Sequence, residues 1–213
     1  MFPAMLRMDD VDTLVVGGGS VAARRAGTLV EHGARVAVVS PSLCAALRRM
    51  VEAGTARWHA RPFERSDVRG RRLVVAATDS GETNAAIARA ARAAGAWVNV
   101  VDNAALGDLH FPAAITRGRL TIAVATDGVS PLVSRRIRER VDAEYGDEFA
   151  GLLDLLAEAR DEARDRIATQ PGRRRFYEDV LASDACDSLR AGRSQDARAR
   201  VSQLLADHAG RPA

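Results

Sequence analysis

Lysine is absent from this chain of 213 residues, so all 31 of its basic residues are arginine. That excludes a lysine Schiff base, and with it ordinary pyridoxal phosphate chemistry. It also excludes the Tyr-x-x-x-Lys pair of short-chain dehydrogenases. Aromatic residues make up only 4% of the chain and the net charge is +3, with arginines interleaved among acids. Such a surface offers neither a stacking platform nor a basic stripe, so no nucleic-acid partner is expected. The two cysteines, Cys44 and Cys186, are far apart and belong to no C-x-x-C or Cys/His cluster. They read as small packing residues, and neither a disulfide framework nor a structural metal site is expected. Apolar runs are strand-sized and the N-terminus lacks a charged-then-apolar leader. The expectation is a cytoplasmic protein with no membrane partner. The exclusive use of arginine reads as base composition, although arginine also suits a polycarboxylate ligand through bidentate pairing.

What is present begins with an apolar strand, Leu14-Val15-Val16, that breaks into Gly17-Gly18-Gly19-Ser20-Val21-Ala22 and opens an amphipathic stretch. This matches G-x-G-x-x-G/A, with Gly17 for the tight turn, Gly19 for close approach of phosphate, and Ala22 for packing of helix on strand. First-turn N–H groups and the helix dipole then face an anion. A dinucleotide of the NAD type is the expected cofactor, against the plainer reading of a strand-to-helix turn.

Apolar content of 47% can fill a core. Strand-like runs at Thr13–Val16, Val36–Val39, Ala56–Ala60, Leu73–Thr78 and Trp97–Val101 are separated by helical patterns at Val21–His32, Ser42–Ala53 and Glu82–Ala94. This is the α/β alternation of a Rossmann-type parallel sheet. Gly33 and Gly54 supply stop signals for the first two helices. Ala113–Thr116 and Leu120–Ala125 flank Arg117-Gly118 and predict an antiparallel hairpin. Beyond Pro131 only helices are expected, at Leu132–Tyr145, Phe149–Ala168, Arg174–Leu181 and Ala197–His208, with a mobile polar stretch at Arg193–Arg200. The layout is α/β: a dinucleotide domain over 1–112, a small β-rich dimerisation region over 113–147 and a helical domain over 148–213. An apolar hairpin outside the sheet needs cover, so homodimerisation through it is expected.

Open parallel sheets bind ligands beyond the carboxyl ends of their strands. Ser40, Pro41 and Ser42 follow the second strand, where many NAD enzymes carry an acid; a serine there either meets ribose or caps the next helix. Arg35 lies within the strand and no arginine follows Ser40 immediately, so no NADP phosphate site is evident. Thr78 and Asp79 follow the fourth strand, where Asp79 either lines the cofactor cleft or caps the helix near Glu82. Asp102, in Asn99-Val100-Val101-Asp102-Asn103, falls near the expected nicotinamide end and is the catalytic candidate, against the plainer reading of a turn aspartate. His110 is open between proton carrier, metal ligand and structural roles; His32, His59 and His208 lack partners at ligand spacing. Ser130 and Pro131 read as the start of a helix, and Thr126 and Ser130 are secondary candidates for a substrate carboxylate.

Taken in order, Val-Val-Gly-Gly-Gly-Ser-Val-Ala, Val-Val-Ser-Pro, Ala-Ala-Thr-Asp, Asn-Val-Val-Asp, Phe-Pro-Ala and Asp-Gly-Val-Ser-Pro before a basic helix resemble the precorrin-2 dehydrogenase/sirohydrochlorin ferrochelatase family. This is the dehydrogenase–chelatase part of siroheme synthase. The resemblance extends to Arg173-Arg174-Arg175-Phe176-Tyr177-Glu178. It implies an NAD-binding domain, a dimerisation region with exchanged strands and a helical domain. It also implies contacts to NAD from Ser20, Val21, Pro41 and Ser42, catalysis by Asp102, and no need of an acid after the second strand. The implied reaction is loss of a hydride to NAD⁺ and of a proton from precorrin-2, giving sirohydrochlorin. Fe²⁺ then enters as a substrate to give siroheme, with no resident metal. Arg135, Arg136 and Arg138 are implied as partners of the substrate's acidic side chains. Fused family members continue into a methyltransferase domain, so methylation is expected from another protein. The competing class is an NAD-sensing module without activity, disfavoured by the helical tail and by Asn-Val-Val-Asp.

Overall fold

The computed structural model of the chain describes residues 1–210. It divides into two compact units, one over residues 1–111 and one from Pro112 onward. In the first, the parallel strands β1 (Asp12–Val16), β2 (Arg35–Val39), β3 (Ala56–His59), β4 (Leu73–Ala76) and β5 (Trp97–Val100) lie in the order β3-β2-β1-β4-β5. Helices α1 (Ser20–Glu31), α2 (Ala45–Glu52) and α3 (Gly81–Ala93) connect them.

The central strands are apolar at nearly every position because both faces of the sheet are covered. Val15, Val36, Val38 and Val75 pack against Ala22, Ala26 and Leu29 of α1 and Leu47 of α2. Their neighbours Leu14, Val16, Val39 and Val74 point the other way, onto Ile87, Ala88 and Ala91 of α3. The edges close with Trp58 and Trp97, both partly exposed. Gly33 and Gly54 have φ of +83° and +73°, the left-handed conformation expected after a helix.

The sheet's strand order reverses between β1 and β4, and this switch point is where a crevice opens at the carboxyl ends. The expected second helix starts later than its pattern predicts, at Ala45 rather than Ser42. The cause is a hydrogen bond from the Cys44 N–H to the Gly18 carbonyl at 2.7 Å, which holds residues 40–44 out of the helix and across the glycine turn.

In the second unit, β6 (Ala113–Arg117) and β7 (Leu120–Val124) form the antiparallel hairpin, paired from Ala113↔Val124 to Arg117↔Leu120. Its turn glycine, Gly118, has φ +53°. Helices α4 (Pro131–Glu144), α5 (Glu148–Arg166), α6 (Gln170–Ala182), α7 (Ala185–Arg190) and α8 (Ser194–Ala209) follow. The hairpin buries Ile115 and exposes Ala114, Thr116, Thr121 and Ala123, so most of the unit's exposed large apolar side chains lie on or next to α4 instead. These are Val129, Leu132, Val133 and Ile137, with Leu181 of α6 apart from them. The hairpin and the helices belong to one compact unit.

Leu152, Leu155, Ala163, Phe176, Val180, Val201 and Leu205 form the core of the helical part. Arg193–Arg200, expected to be mobile, is instead the start of α8. Ala197 is fully buried and Arg198 pairs with Glu158; one small apolar contact in an otherwise polar stretch suffices to seat it. Helix α7 escaped notice because six residues carry little periodicity. Among the described residues no helix is long and apolar enough to cross a membrane.

Phe176 is wholly buried at the centre of the helical core. Replacing it by Ala should cost about 3–5 kcal/mol, read as a lower urea midpoint of the transition that reports α5–α8.

Candidate dinucleotide and catalytic cleft

The Gly17–Gly19 turn is shaped by two backbone contacts. Gly17 has φ +126°, and a Cβ there would lie 2.2 Å from the Ala77 carbonyl oxygen. At Gly18 a Cβ would lie 1.8 Å from the Ser42 carbonyl oxygen. The fingerprint asks nothing of this middle position; its glycine is required by the chain that crosses it. Gly19 differs, because a Cβ there would meet no protein atom within 4 Å. It is the N-cap of α1, which has no side-chain cap and no acid in its first turn. A helix start left open in this way presents its free N–H groups and positive end to an anion.

The turn opens into a cleft of about 890 Å³ at the carboxyl ends of β1, β2, β4 and β5. Gly17, Gly19, Ser20, Val21, Ser40, Pro41, Ser42, Thr78 and Asp79, the residues singled out for the cofactor, all line it together with Asp102. Ser40 is buried at the end of β2, and neither it nor Ser42 caps the next helix, which begins at Ala45 with Cys44 as N-cap and no side-chain cap. Asp79 is not a cap either, because Ser80 takes that place and accepts from the Thr83 N–H at 3.2 Å. Asp79 stands exposed on the cleft wall.

Asp102 is held by a residue that sequence reasoning passed over. Asn84, wholly buried in the first turns of α3, donates through Nδ2 to Asp102 Oδ1 at 3.1 Å and to the Thr78 carbonyl at 3.1 Å. Its Oδ1 accepts from the Thr78 N–H at 3.1 Å and the Thr78 hydroxyl at 2.7 Å. The Thr78 N–H can only donate, so the amide orientation is fixed and its NH₂ must face the carboxylate. A signal was available: Asn84 shares the helical stripe of Ile87, Ala88 and Ala91, and a polar residue in an apolar stripe needs partners. Asp102 itself is exposed to the cleft.

Pro62, Phe63 and Arg24 also line the cleft and were not foreseen. The Pro62-Phe63 segment is fastened by Arg61, which donates to Asp67 at 2.9 Å and to the Pro62 carbonyl at 3.0 Å. The Glu64 N–H also donates to Asp67, at 2.8 Å. The Arg61 guanidinium, seconded by that backbone bond, holds the Asp67 carboxyl below its ordinary range. His110 has Nε2 3.2 Å from the Ala104 carbonyl and fastens its own loop.

In the second unit, Thr126 and Ser130 build the start of α4. The Thr126 hydroxyl donates to the Ser130 carbonyl at 3.0 Å, and Ser130 Oγ accepts from the Val133 N–H at 3.3 Å. Pro131 takes the first helical position, as expected. Arg135 is exposed and paired with Glu139 at 3.0 Å. Among the described residues no group of three or more His, Cys, Asp or Glu is placed to hold a metal.

A family model described as "Putative NAD(P)-binding" matches residues 4–113, which takes in all but the first three residues of the unit that carries this cleft. The chain belongs to that family. A second model, described as "Sirohaem synthase dimerisation region", matches residues 148–205 of this NAD(P)-binding protein; the segment 113–147, expected as the dimerisation region, precedes that match. The siroheme synthase of Methylococcus capsulatus is 40% identical over 98% of the chain, and that of Xylella fastidiosa 39% over 97%. The chain spans 44% of the length of each. A solved structure of SirC, precorrin-2 dehydrogenase, shares the fold with a TM-score of 0.76, covering 95% of this chain and all of that one at 24% identity. The family resemblance carried by the motifs is thus shown, and the cofactor is a nicotinamide dinucleotide.

Two contrasts test the cleft. Gly18→Ala should lower thermal stability, since overpacking a filled site costs about 1–3 kcal/mol. Gly19→Ala should leave the melting temperature in place and weaken NAD binding by calorimetry; unchanged affinity would show that phosphate does not approach there. Asp67 follows the usual sign for a depressed carboxyl. Its contribution is present above the unfolded value of about 3.9 and is lost as pH falls through the lower folded value. The stability gap between the parent and Asp67→Asn should therefore be widest near neutrality and close below about pH 4.

Proposed function

We propose that this chain uses NAD⁺ to oxidise precorrin-2 to sirohydrochlorin, and that the same site then takes Fe²⁺ as a substrate to give siroheme. The observation that carries this reading is the oriented carboxylate of Asp102 in a cleft whose glycine turn fits a pyrophosphate. The names of the relatives supply the substrate class, because the matched proteins are siroheme synthases and SirC is a precorrin-2 dehydrogenase.

Bound NAD⁺ supplies the hydride acceptor. The proteins' own part is binding and proton handling: Gly17, Gly19, Ser20 and Val21 hold phosphate on the open end of α1, and Ser40, Pro41, Ser42, Thr78 and Asp79 line the adenosine side. A buried serine in place of an acid or an arginine after β2 favours NAD without a demand on the 2′-position. Precorrin-2 loses one hydride and one proton, and Asp102 receives the proton. Its Oδ1 is engaged by Asn84, which leaves Oδ2 for the substrate. Asp102 then releases that proton to solvent; in the second step Fe²⁺ replaces two pyrrolic protons, which the same carboxylate takes up one at a time and passes to solvent.

Thr126, Ser130 and Arg135, with Arg136 and Arg138, are the candidate contacts for the substrate's carboxylates. The working form is a cytoplasmic homodimer. Its support is the second family match and the exposed stripe of Leu132, Val133 and Ile137 on α4, which a partner would cover.

Anaerobic incubation with precorrin-2 and NAD⁺, then with Fe²⁺, tests the reading by the successive absorption of sirohydrochlorin and siroheme. No change at the first stage rejects it, and a halt at the second leaves a dehydrogenase. Asp102→Ala should lower kcat by about 10²–10⁴-fold, the usual worth of a general base, while NAD affinity stays unchanged. Full turnover in that variant would remove Asp102 from the mechanism.

A further inference from the structure

Each edge of the parallel sheet carries a tryptophan, Trp58 on β3 and Trp97 on β5, 39% and 52% exposed. The preference of large aromatic side chains for half-buried strand positions accounts for both. It does not account for a difference between them. Among the described residues the Trp97 indole makes no hydrogen bond, whereas Trp58 donates through Nε1 to the Ser40 carbonyl at 2.9 Å. A half-exposed indole N–H has water within reach, so its commitment to one backbone oxygen has its reason in the residue that receives it.

Ser40 lies one residue past β2, where the register Val38↔Trp58 and Val39↔His59 runs out. Its N–H donates to the His59 carbonyl at 3.3 Å, and its own carbonyl takes the Trp58 indole. Both backbone groups are thus spent on β3. The side chain is the opposite case. Ser40 is only 7% exposed and lines the cleft, yet its hydroxyl has no hydrogen-bond partner among the described residues, and Pro41 beside it offers no N–H. A hydroxyl buried to this degree takes a partner. Its place is also set from the far side, because a Cβ at Gly18 would lie 2.6 Å from Ser40 Oγ. The hydroxyl therefore rests against the glycine turn and meets whatever ligand comes to that turn.

We infer that Trp58 is a positioning residue for the dinucleotide: by fixing the Ser40 carbonyl it aims the Ser40 hydroxyl into the cleft, where that hydroxyl bonds the ribose of the adenosine half. Ser40 lines the cleft and Trp58 does not, so the indole acts through the serine and touches no ligand. Without it the Ser40 peptide loses the restraint on its ψ, and the hydroxyl must be ordered at the moment of binding. A neutral side chain held in one orientation thereby takes the place of the acid that many NAD enzymes carry after the second strand. This rests on the adenosine half lying along Ser40–Ser42, and not on the chemistry done to the tetrapyrrole.

A double-mutant cycle on the full chain tests it, with NAD⁺ and adenosine 5′-monophosphate titrated by calorimetry. Trp58→Phe keeps a ring on the edge and removes the donor. Trp58→Phe and Ser40→Ala should each raise Kd for both ligands about threefold to tenfold, the worth of one ordinary hydrogen bond. In the Ser40→Ala background Trp58→Phe should change Kd by less than about twofold, because residues that act as one unit are not additive. Loosened packing at the edge would not cancel in this way. Equal factors for Trp58→Phe in the two backgrounds overturn the inference, as does a Trp58→Phe variant that binds like the parent. A second measurement leaves Trp58 in place, should its replacement fail to fold. The chain has two tryptophans, so Trp97→Phe makes Trp58 the sole emitter, and adenosine 5′-monophosphate should shift its emission saturably. Unchanged emission while calorimetry shows the nucleotide bound also overturns the inference. A Ser40→Ala variant of parental affinity would remove the adenosine half from Ser40 and the inference with it, whereas a Ser40 effect that does not depend on Trp58 would remove the inference alone.

Discussion

The approach of three backbone segments at the glycine turn is the constraint on which the first unit depends. β1 ends between the Ala77 peptide after β4 and the Ser42 peptide after β2, and Gly17 and Gly18 leave no room for a Cβ on either side. The contact pins the carboxyl ends of the three central strands to one level. It also delays α2 and leaves the start of α1 facing open space. A cofactor cradle is in this sense the residue of a packing problem: what the protein cannot fill with side chains it leaves as N–H groups and a dipole.

Much of this was legible in the chain. Alternation of apolar runs with amphipathic stretches predicted the parallel sheet because both periodicities were strong and the breaks carried Gly33 and Gly54. Residues chosen only because they follow strands came together in one cleft, since topology places strand ends at one edge whatever their identity. The less legible parts have physical causes. Ser80 caps α3 in place of Asp79 because backbone dihedrals, not residue preference, decide which oxygen faces the first-turn N–H groups. Arg193–Arg200 is helical because tertiary contact at Ala197 outweighs a polar composition. Gly18 could not be separated from its neighbours without knowing which segment crosses it.

The two units solve different problems with the same cation. Around the sheet arginine serves as a strap: Arg35 joins Asp10 and Asp12, and Arg61 gathers Asp67 and the Pro62 carbonyl. In the helical unit some arginines are paired across helices, as Arg190 is with Glu148, while others pair along one helix, as Arg174 does with Glu178. A chain restricted to guanidinium groups has planar, multi-donor cations at every basic position. Fixed geometry is thus available at sites where ammonium groups would be loosely placed.

The amide of Asn84 has a consequence for how this fold can be cut and recombined. It joins the peptide after β4, the first turns of α3 and the acid after β5, and that same stretch after β4 walls the glycine turn through Ala77. Cradle and acid are therefore not separable modules. A chimera whose junction falls anywhere between Gly17 and Asp102 would join a turn to a wall that was not shaped for it, or an acid to an amide that does not hold it. The unit of inheritance is the whole span from β1 through Asp102 just past β5, about ninety residues that must travel together.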